Sequence, residues 1–165
     1  MLTASRKNSN KHCALYAKEP VVQTPKSILV STYPIAGSHQ TLLVANVHGI
    51  NFTLSLESYR LQFKALHKVL QKHQGPIILA GDFNSWRDER QAILDELSQA
   101  LSLQQVAYKS HRRVTVLGNP IDHVYYRGLE IIEASSPSVT SSDHNPLLVT
   151  FKVAEPQHKR YAKTP

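Results

Sequence analysis

Four short polar clusters stand beside apolar segments of this 165-residue chain, and their residue types suit chemistry on phosphate groups. The clusters are Asn46 with His48, Asp82 with Asn84, Asp122 with His123, and Asp143 with His144 and Asn145. Aspartates supply oxygen ligands for a hard cation, since Mg²⁺ takes one or two carboxylates and fills its other positions with water and phosphate. A histidine beside a carboxylate can act as an acid or a base near neutral pH.

The elements that must position these clusters can be read from hydrophobic periodicity. Strands are predicted near 27–33, 41–47, 76–80, 104–108, 121–126, 129–134 and 147–153, with helices after residue 55 and after Ser85, the predicted cap of the second helix. A strand, a helix and a strand over residues 41–80 indicate a parallel pair joined by a crossover, and the closely spaced late strands indicate antiparallel pairing. The predicted fold class is α/β (α+β), a mixed β-sheet with helices on one face.

This arrangement predicts that the polar clusters meet. Two clusters follow strands of the parallel pair, and two precede late strands. If the late strands run antiparallel to the first pair, all four clusters lie at one edge of the sheet, where a site can gather residues from distant parts of a chain. His123 needs no role beyond a place on a strand face.

Composition sets further bounds. The net charge is +7, and most of this excess lies in the two ends of the chain, so it is weak evidence for a polyanionic partner. One cysteine excludes an intramolecular disulfide. Without a signal sequence or a stretch of about 18 apolar residues, a cytoplasmic protein with no stable membrane anchor is expected. We expect an irregular basic leader at 1–25, a domain at 26–153 and a basic tail at 154–165.

The motifs together resemble the endonuclease/exonuclease/phosphatase superfamily, which includes exonuclease III-like and DNase I-like enzymes. The resemblance runs from about Lys26 to Phe151 and rests on Asn46-Val47-His48, Gly81-Asp82-Phe83-Asn84, Ile121-Asp122 and Ser142-Asp143-His144-Asn145-Pro146. The chain looks most like a little-characterised bacterial branch. The resemblance implies part of a four-layer DNase I-like sandwich, in which this chain is the C-terminal portion.

The resemblance also implies a reaction, namely in-line attack of water on a phosphoester by a phosphodiesterase or nuclease that uses Mg²⁺ or Mn²⁺. The implied catalytic residues are His48, Asp82, Asn84, Asp122 and His144. The implied metal ligands are Asp82, Asn84 and Asp143. Asn46, Arg112 and Arg113 are expected to contact the substrate phosphate.

One departure keeps alternatives open. The early Asn and the metal-binding Glu of the family have no counterpart here, so an inactive truncated remnant and an assembly-dependent nucleic-acid-binding module are the alternatives to the enzyme. DNA, RNA, phosphoinositides and sphingolipids all remain candidate substrates. A sheet that lacks its partner exposes an apolar face, which predicts self-association.

Overall fold

The computed structural model describes residues 11–18, 25–51, 55–109 and 112–154 of the chain. Within these ranges the elements follow in the order β1 (Lys11–Lys18), β2 (Pro25–Pro34), β3 (Thr41–His48), α1 (Glu57–Leu70), β4 (Ile77–Asp82), α2 (Asp88–Ala100), β5 (Gln104–Gln105), β6 (Thr115–Val116), β7 (Asn119–Pro120), β8 (Asp122–Arg127), β9 (Leu129–Ser135) and β10 (Leu148–Val153). In the described ranges, neither helix combines the length and apolar character that crossing a membrane requires.

Six strands form one mixed sheet in the order β1-β2-β3-β4-β8-β5. Strands β3 and β4 are parallel, and α1 makes the crossover between them. The other neighbouring pairs, β1–β2, β2–β3, β4–β8 and β8–β5, are antiparallel. The predicted mixed sheet with a parallel pair around a helix is therefore confirmed.

Both helices pack on one face of this sheet. Alternate residues of the central strands point to this face, since successive side chains of a strand point to opposite sides. The buried cluster joins them to the apolar stripes of the helices and includes Ile28, Val30, Leu43, Ala45, Val47, Ile77, Leu79, Tyr59, Phe63, Leu66, Leu70, Ile93, Leu94 and Leu97. The predicted placement of the helices on one face of the sheet is thus observed.

The opposite face is covered in part by β9 and β10, which form a separate two-stranded sheet. Sequence patterning placed these strands in the mixed sheet, and that expectation is wrong. A single residue, Gly128, separates β8 from β9, and its φ of +68° lets the chain turn sharply. Apolar side chains of the pair, including Ile131, Val149 and Phe151, then pack over Val124 and its neighbours.

Part of the expected irregular leader is a strand. β1 pairs with β2 along its whole length, from Lys11 opposite Thr32 to Lys18 opposite Pro25. Residues 1–10 and 19–24 lie outside the described residues, as does the expected basic tail beyond Ala154. The pairing of β1 depends on backbone hydrogen bonds to β2, the next strand along the chain, and the periodicity of side chains does not reveal such bonds.

Candidate active site

The sheet register places three of the predicted residues side by side at one edge of the sheet. His48 at the end of β3 pairs with Asp82 at the end of β4, and Asp82 pairs with Asp122 at the start of β8. Because paired residues on neighbouring strands point to the same side of a sheet, these three side chains share one face. The predicted meeting of the clusters at one edge therefore holds for these three residues.

A pocket of about 250 Å³ opens at this edge. Its lining includes Asn46, Gly81, Asp82, Asp122 and Asn145. Asn46 precedes His48 by two residues in β3 and pairs with Ala80 of β4, which also lines the pocket. The predicted residues Asn46, Asp82 and Asp122 thus share one cavity.

Asn84 is fixed tightly against Asp82. Its backbone N–H donates to Asp82 Oδ1 at 2.9 Å, and its Nδ2 donates to Asp82 Oδ2 at 3.1 Å and to the carbonyl of Gly49 at 3.0 Å. The residue has a φ of +50°, a left-handed conformation that asparagine tolerates better than most residues. Both carboxylate oxygens of Asp82 are therefore oriented by the residue two positions later.

A glycine lets the two parallel strands approach at this point. A Cβ on Gly81 would lie 2.1 Å from the carbonyl oxygen of Val47, and the φ of Gly81 is +140°. No side chain larger than hydrogen fits there without moving β3 or β4. The Gly-Asp-Phe-Asn motif thus combines a close strand contact with the Asp82–Asn84 turn.

His144 lies beside Asp122, although the two residues come from distant parts of the chain. The Nδ1 atom of His144 is 2.7 Å from Asp122 Oδ2. Burial raises the pKa of the Asp122 carboxyl and outweighs the hydrogen bond to His144, which lowers it. Burial alone would lower the pKa of His144, but the hydrogen bond and the charges of the nearby carboxylates raise it above the ordinary value. The pair therefore holds a proton, and Asp122 fixes the orientation of the imidazole.

Asp143 has a different position from the other predicted residues. It is exposed, and its Oδ1 accepts a hydrogen bond of 3.5 Å from the adjacent Ser142 hydroxyl. The carboxylate that contacts the His144 ring is that of Asp122, while Asp143 contributes a weaker charge effect from the neighbouring position. Asp122, and not Asp143, therefore orients the ring of His144.

The two predicted arginines also differ. Arg112 is exposed and donates from Nη1 to the hydroxyl of Ser138 at 3.1 Å. Arg113 turns toward the site, where its guanidinium is 5.6 Å from the centre of the Tyr108 ring and its Nη1 is 3.5 Å from His123 Nδ1. The Nε of Arg113 is buried without a hydrogen-bond partner among the described residues.

Asn145 connects three segments of the chain, although the sequence analysis named it only as part of a motif and gave it no role of its own. Its Nδ2 donates to the backbone carbonyl of Arg112 at 2.5 Å, and its Oδ1 accepts from the N–H of Val139 at 3.0 Å. Asn145 also lines the pocket beside Asp122. It therefore fixes the arginine-bearing loop relative to the segment that carries His144.

His123 is a buried part of a hydrogen-bond network behind Asp122. Its Nε2 lies 2.7 Å from the Ser85 hydroxyl, which itself donates to the carbonyl of Pro120, and its Nδ1 lies 2.6 Å from Gln105 Nε2. Burial, with the positive charge of Arg113, lowers the pKa of His123 to about 4. The ring is therefore neutral near pH 7 and carries its proton on Nε2.

The same network explains why Ser85 does not cap α2. Its hydroxyl is committed to Pro120 and His123, and the residue is fully buried. The helix instead begins at Asp88, after Arg87 in an extended conformation with no side-chain cap. The prediction of a Ser85 cap is wrong because a contact to a distant strand competes with the local one.

Arg90 is a further residue that the sequence analysis missed. It is buried on α2, and its guanidinium donates to the carbonyls of Ile50, Asn84 and Asn51 at 2.7, 2.9 and 2.7 Å. It thereby holds the loops that follow β3 and β4. Its position three residues before Ile93 and four before Leu94 lies on the apolar stripe, and this spacing is the signal that could have identified it.

The donor set at the edge fits a hard cation only in part. No group of three or more His, Cys, Asp or Glu side chains that could hold a metal ion occurs within the described ranges. Asp82 and Asp122 nevertheless face one pocket, and the charge of Asp82 contributes to raising the pKa of Asp122. Two carboxylates with amide oxygens nearby match a Mg²⁺ ion that keeps several waters.

Comparisons with known proteins agree with this geometry. The Endonuclease/Exonuclease/phosphatase family model matches residues 10–144. A UPF0294 protein of Vibrio campbellii is 43% identical over 152 residues, which are 92% of this chain and 54% of that protein. The chain thus spans about half the length of the curated relatives it matches. The bacterial branch expected from the motifs is confirmed.

Solved structures match the fold as well. The human Nocturnin catalytic domain with bound sulfate superposes with a TM-score of 0.65 at 20% identity, covering 90% of this chain and 61% of that one. A mannosyl-6-phosphatase of Bacteroides thetaiotaomicron gives 0.61 at 17% identity, covering 88% of this chain and 67% of its own. The expected DNase I-like fold is therefore confirmed. Because the family model matches residues 10–144, the chain belongs to the endonuclease/exonuclease/phosphatase family.

Proposed function

We propose that this chain carries the catalytic residues of a metal-dependent phosphodiesterase or nuclease. The observation that carries the proposal is the paired row His48, Asp82 and Asp122, with His144 held 2.7 Å from Asp122 at a shared edge. Family membership supports hydrolysis of a phosphoester, and the row supplies both a carboxylate base and an imidazole donor for it.

His144 is the proton donor in this account. Asp122 holds Nδ1, so the second ring nitrogen is left to face a phosphoryl or leaving-group oxygen. Because the pKa of His144 is raised, the ring keeps its second proton to higher pH than a free histidine. A protonated imidazole stabilises negative charge that develops on an oxygen in the transition state.

Asp82 and Asn84 act on the water molecule that attacks the phosphoester. The two N–H donors of Asn84 fix the Asp82 carboxylate, which can then orient a water molecule and accept its proton. The burial of Asn84 and its bond to Gly49 keep this turn rigid. Arg113 beside Asp122 adds positive charge for the phosphate, a role that Arg112 shares only if its contact with Ser138 breaks.

Asp82 would hold Mg²⁺ or Mn²⁺, with water and phosphate oxygens filling most other positions, whereas the other two expected ligands, Asn84 and Asp143, do not line the pocket. When bound, the cation neutralises charge on the phosphoryl oxygens and lowers the pKa of a bound water. A single metal with one or two protein carboxylates is consistent with the donors of the described residues.

The experiment is hydrolysis of bis(p-nitrophenyl) phosphate and plasmid DNA with Mg²⁺ or Mn²⁺, with EDTA and Asp82→Ala as controls. We expect metal-dependent turnover that EDTA and the substitution each remove. The Vibrio campbellii relative, assayed in parallel, shows whether the longer protein is needed. Turnover that survives EDTA, or that is equal in Asp82→Ala, contradicts the proposal.

A second candidate is a remnant that binds nucleic acid without cleaving it. The observation that favours it is the presence of Arg112 and Arg113 beside the site, since arginines that contact phosphates bind nucleic acid without a metal. An Asp82→Ala, His144→Ala double variant separates the two functions. Unchanged affinity for labelled DNA, together with absent turnover in the wild type, selects the binding module.

A further inference from the structure

Lys26 lies at the same edge of the sheet as the row of site residues, on the strand next to β3. It lies at the start of β2, two residues before Ile28, which pairs with Val47 near the end of β3. Because β2 and β3 are antiparallel, the start of β2 lies at the same sheet edge as His48. Its side chain is buried, with 8% of the residue exposed, which is unusual for lysine.

The Nζ atom of Lys26 is 2.7 Å from Nε2 of His48. An ammonium group only donates hydrogen bonds, so Nε2 must accept and the ring proton must lie on Nδ1. Asp82 Oδ2 lies 3.7 Å from the same Nε2, too far for a direct hydrogen bond. Nε2 of His48 is therefore hydrogen-bonded to Lys26 and not to Asp82.

We propose that Lys26 is a positioning residue that holds His48 in the tautomer whose Nε2 accepts a hydrogen bond. This arrangement keeps His48 from donating a hydrogen bond to Asp82. Both oxygens of the Asp82 carboxylate therefore remain available to Asn84 and to the attacking water. The catalytic part of this inference rests on the proposed function, whereas the tautomer of His48 does not.

The tautomer can be measured directly by nuclear magnetic resonance on chain labelled with ¹⁵N at its histidine rings. The chain has nine histidines, so a His48→Gln variant identifies the signals of His48 by their loss. We expect the wild type to show a protonated Nδ1 and an unprotonated Nε2. In Lys26→Met, Nε2 should gain a proton and become a donor toward Asp82.

Two variants serve as controls. Lys26→Arg keeps a donor at this position and should retain the wild-type tautomer. Lys68→Met removes an exposed lysine of α1 and should change nothing at His48. A wild-type ring protonated at Nε2, or a His48 spectrum that is the same in Lys26→Met, overturns the proposal.

Turnover gives a second readout. Lys26→Met should lower kcat about 10- to 100-fold with little change in KM, as is typical when a group that orients a catalytic residue is removed. Lys26→Arg should recover much of this loss, and unchanged kcat in Lys26→Met contradicts the role in catalysis. Absence of turnover in the wild type contradicts the proposed function, and the spectra then still decide the role of Lys26.

Discussion

The two faces of the main sheet are built differently. The face under α1 and α2 is sealed by large apolar side chains, and Phe63, Phe83 and Ile77 are almost fully buried there. The face under β9 and β10 is only partly covered and carries the polar row at its edge. On this second side Ile132 and Leu148 are 62% and 53% exposed. Packing that stabilises the domain is thus concentrated on one face, which leaves the other free to carry chemistry.

Substitutions on the polar face should lower activity, and the largest such effect is expected at the Asp122–His144 pair. His144→Ala should lower kcat about 10²- to 10⁴-fold, the usual contribution of a general acid. Asp122→Asn should give a comparable loss, and the double variant should lose little more, because the two residues act as a unit. Single-turnover rates of the three variants test this, and losses that multiply would contradict a coupled pair.

Phe63→Ala should act on stability instead. Its ring packs between Tyr59 and Phe83, with centroid distances of 4.7 and 5.9 Å. Truncation leaves a cavity and should cost about 3–5 kcal/mol of unfolding free energy in urea titrations. Leu61→Ala, on the same helix but 58% exposed, is the matched control and should stay within about 0.5 kcal/mol. Equal losses of unfolding free energy in the two variants would contradict the claim that packing between α1 and the sheet stabilises the domain.

His123 gives the stability a pH dependence of known sign. Its pKa falls from an ordinary 6.5 to about 4 on folding, so the unfolded chain binds this proton first as the pH drops. Stability should therefore decline between pH 6.5 and 4, by roughly 3 kcal/mol from this residue. His123→Gln should remove that part of the decline, as measured by urea unfolding at several pH values. An equally steep decline in the variant would assign the effect to other groups.

The smallest effect is expected at the exposed residues of β9. Ile132→Thr should change the unfolding free energy by no more than about 0.5 kcal/mol, since the side chain is mostly in water. It should nevertheless weaken concentration-dependent association in sedimentation velocity, if exposed apolar groups of this face drive self-association. Association that is unchanged in the variant places the contact elsewhere.

Much of the fold could be predicted because its signals are local. The helices after residues 55 and 85 follow from apolar periodicity, and the parallel pair follows from a strand, a helix and a strand in succession. The edge of the sheet that gathers His48, Asp82 and Asp122 could be predicted from the polar residues at strand ends and the direction of the strands.

The rest depends on contacts that local patterns do not contain. β1 exists through pairing with β2, and β9 leaves the sheet because Gly128 permits a sharp turn. The same holds within the site. The carboxylate that contacts His144 and the groups that bind the Ser85 hydroxyl all belong to residues more than twenty positions away in the sequence.

The most direct test of the central claim measures activity and folding on the same samples. Wild type and Asp82→Ala are compared for Mn²⁺-dependent hydrolysis of bis(p-nitrophenyl) phosphate and for thermal unfolding. We expect turnover in the wild type that is lost in Asp82→Ala, with cooperative thermal unfolding in both samples and a modest decrease in the unfolding temperature of the variant, because Asn84 loses two hydrogen-bond acceptors. A folded wild type without turnover, or equal turnover in a folded Asp82→Ala, would contradict a catalytic role for this edge of the sheet.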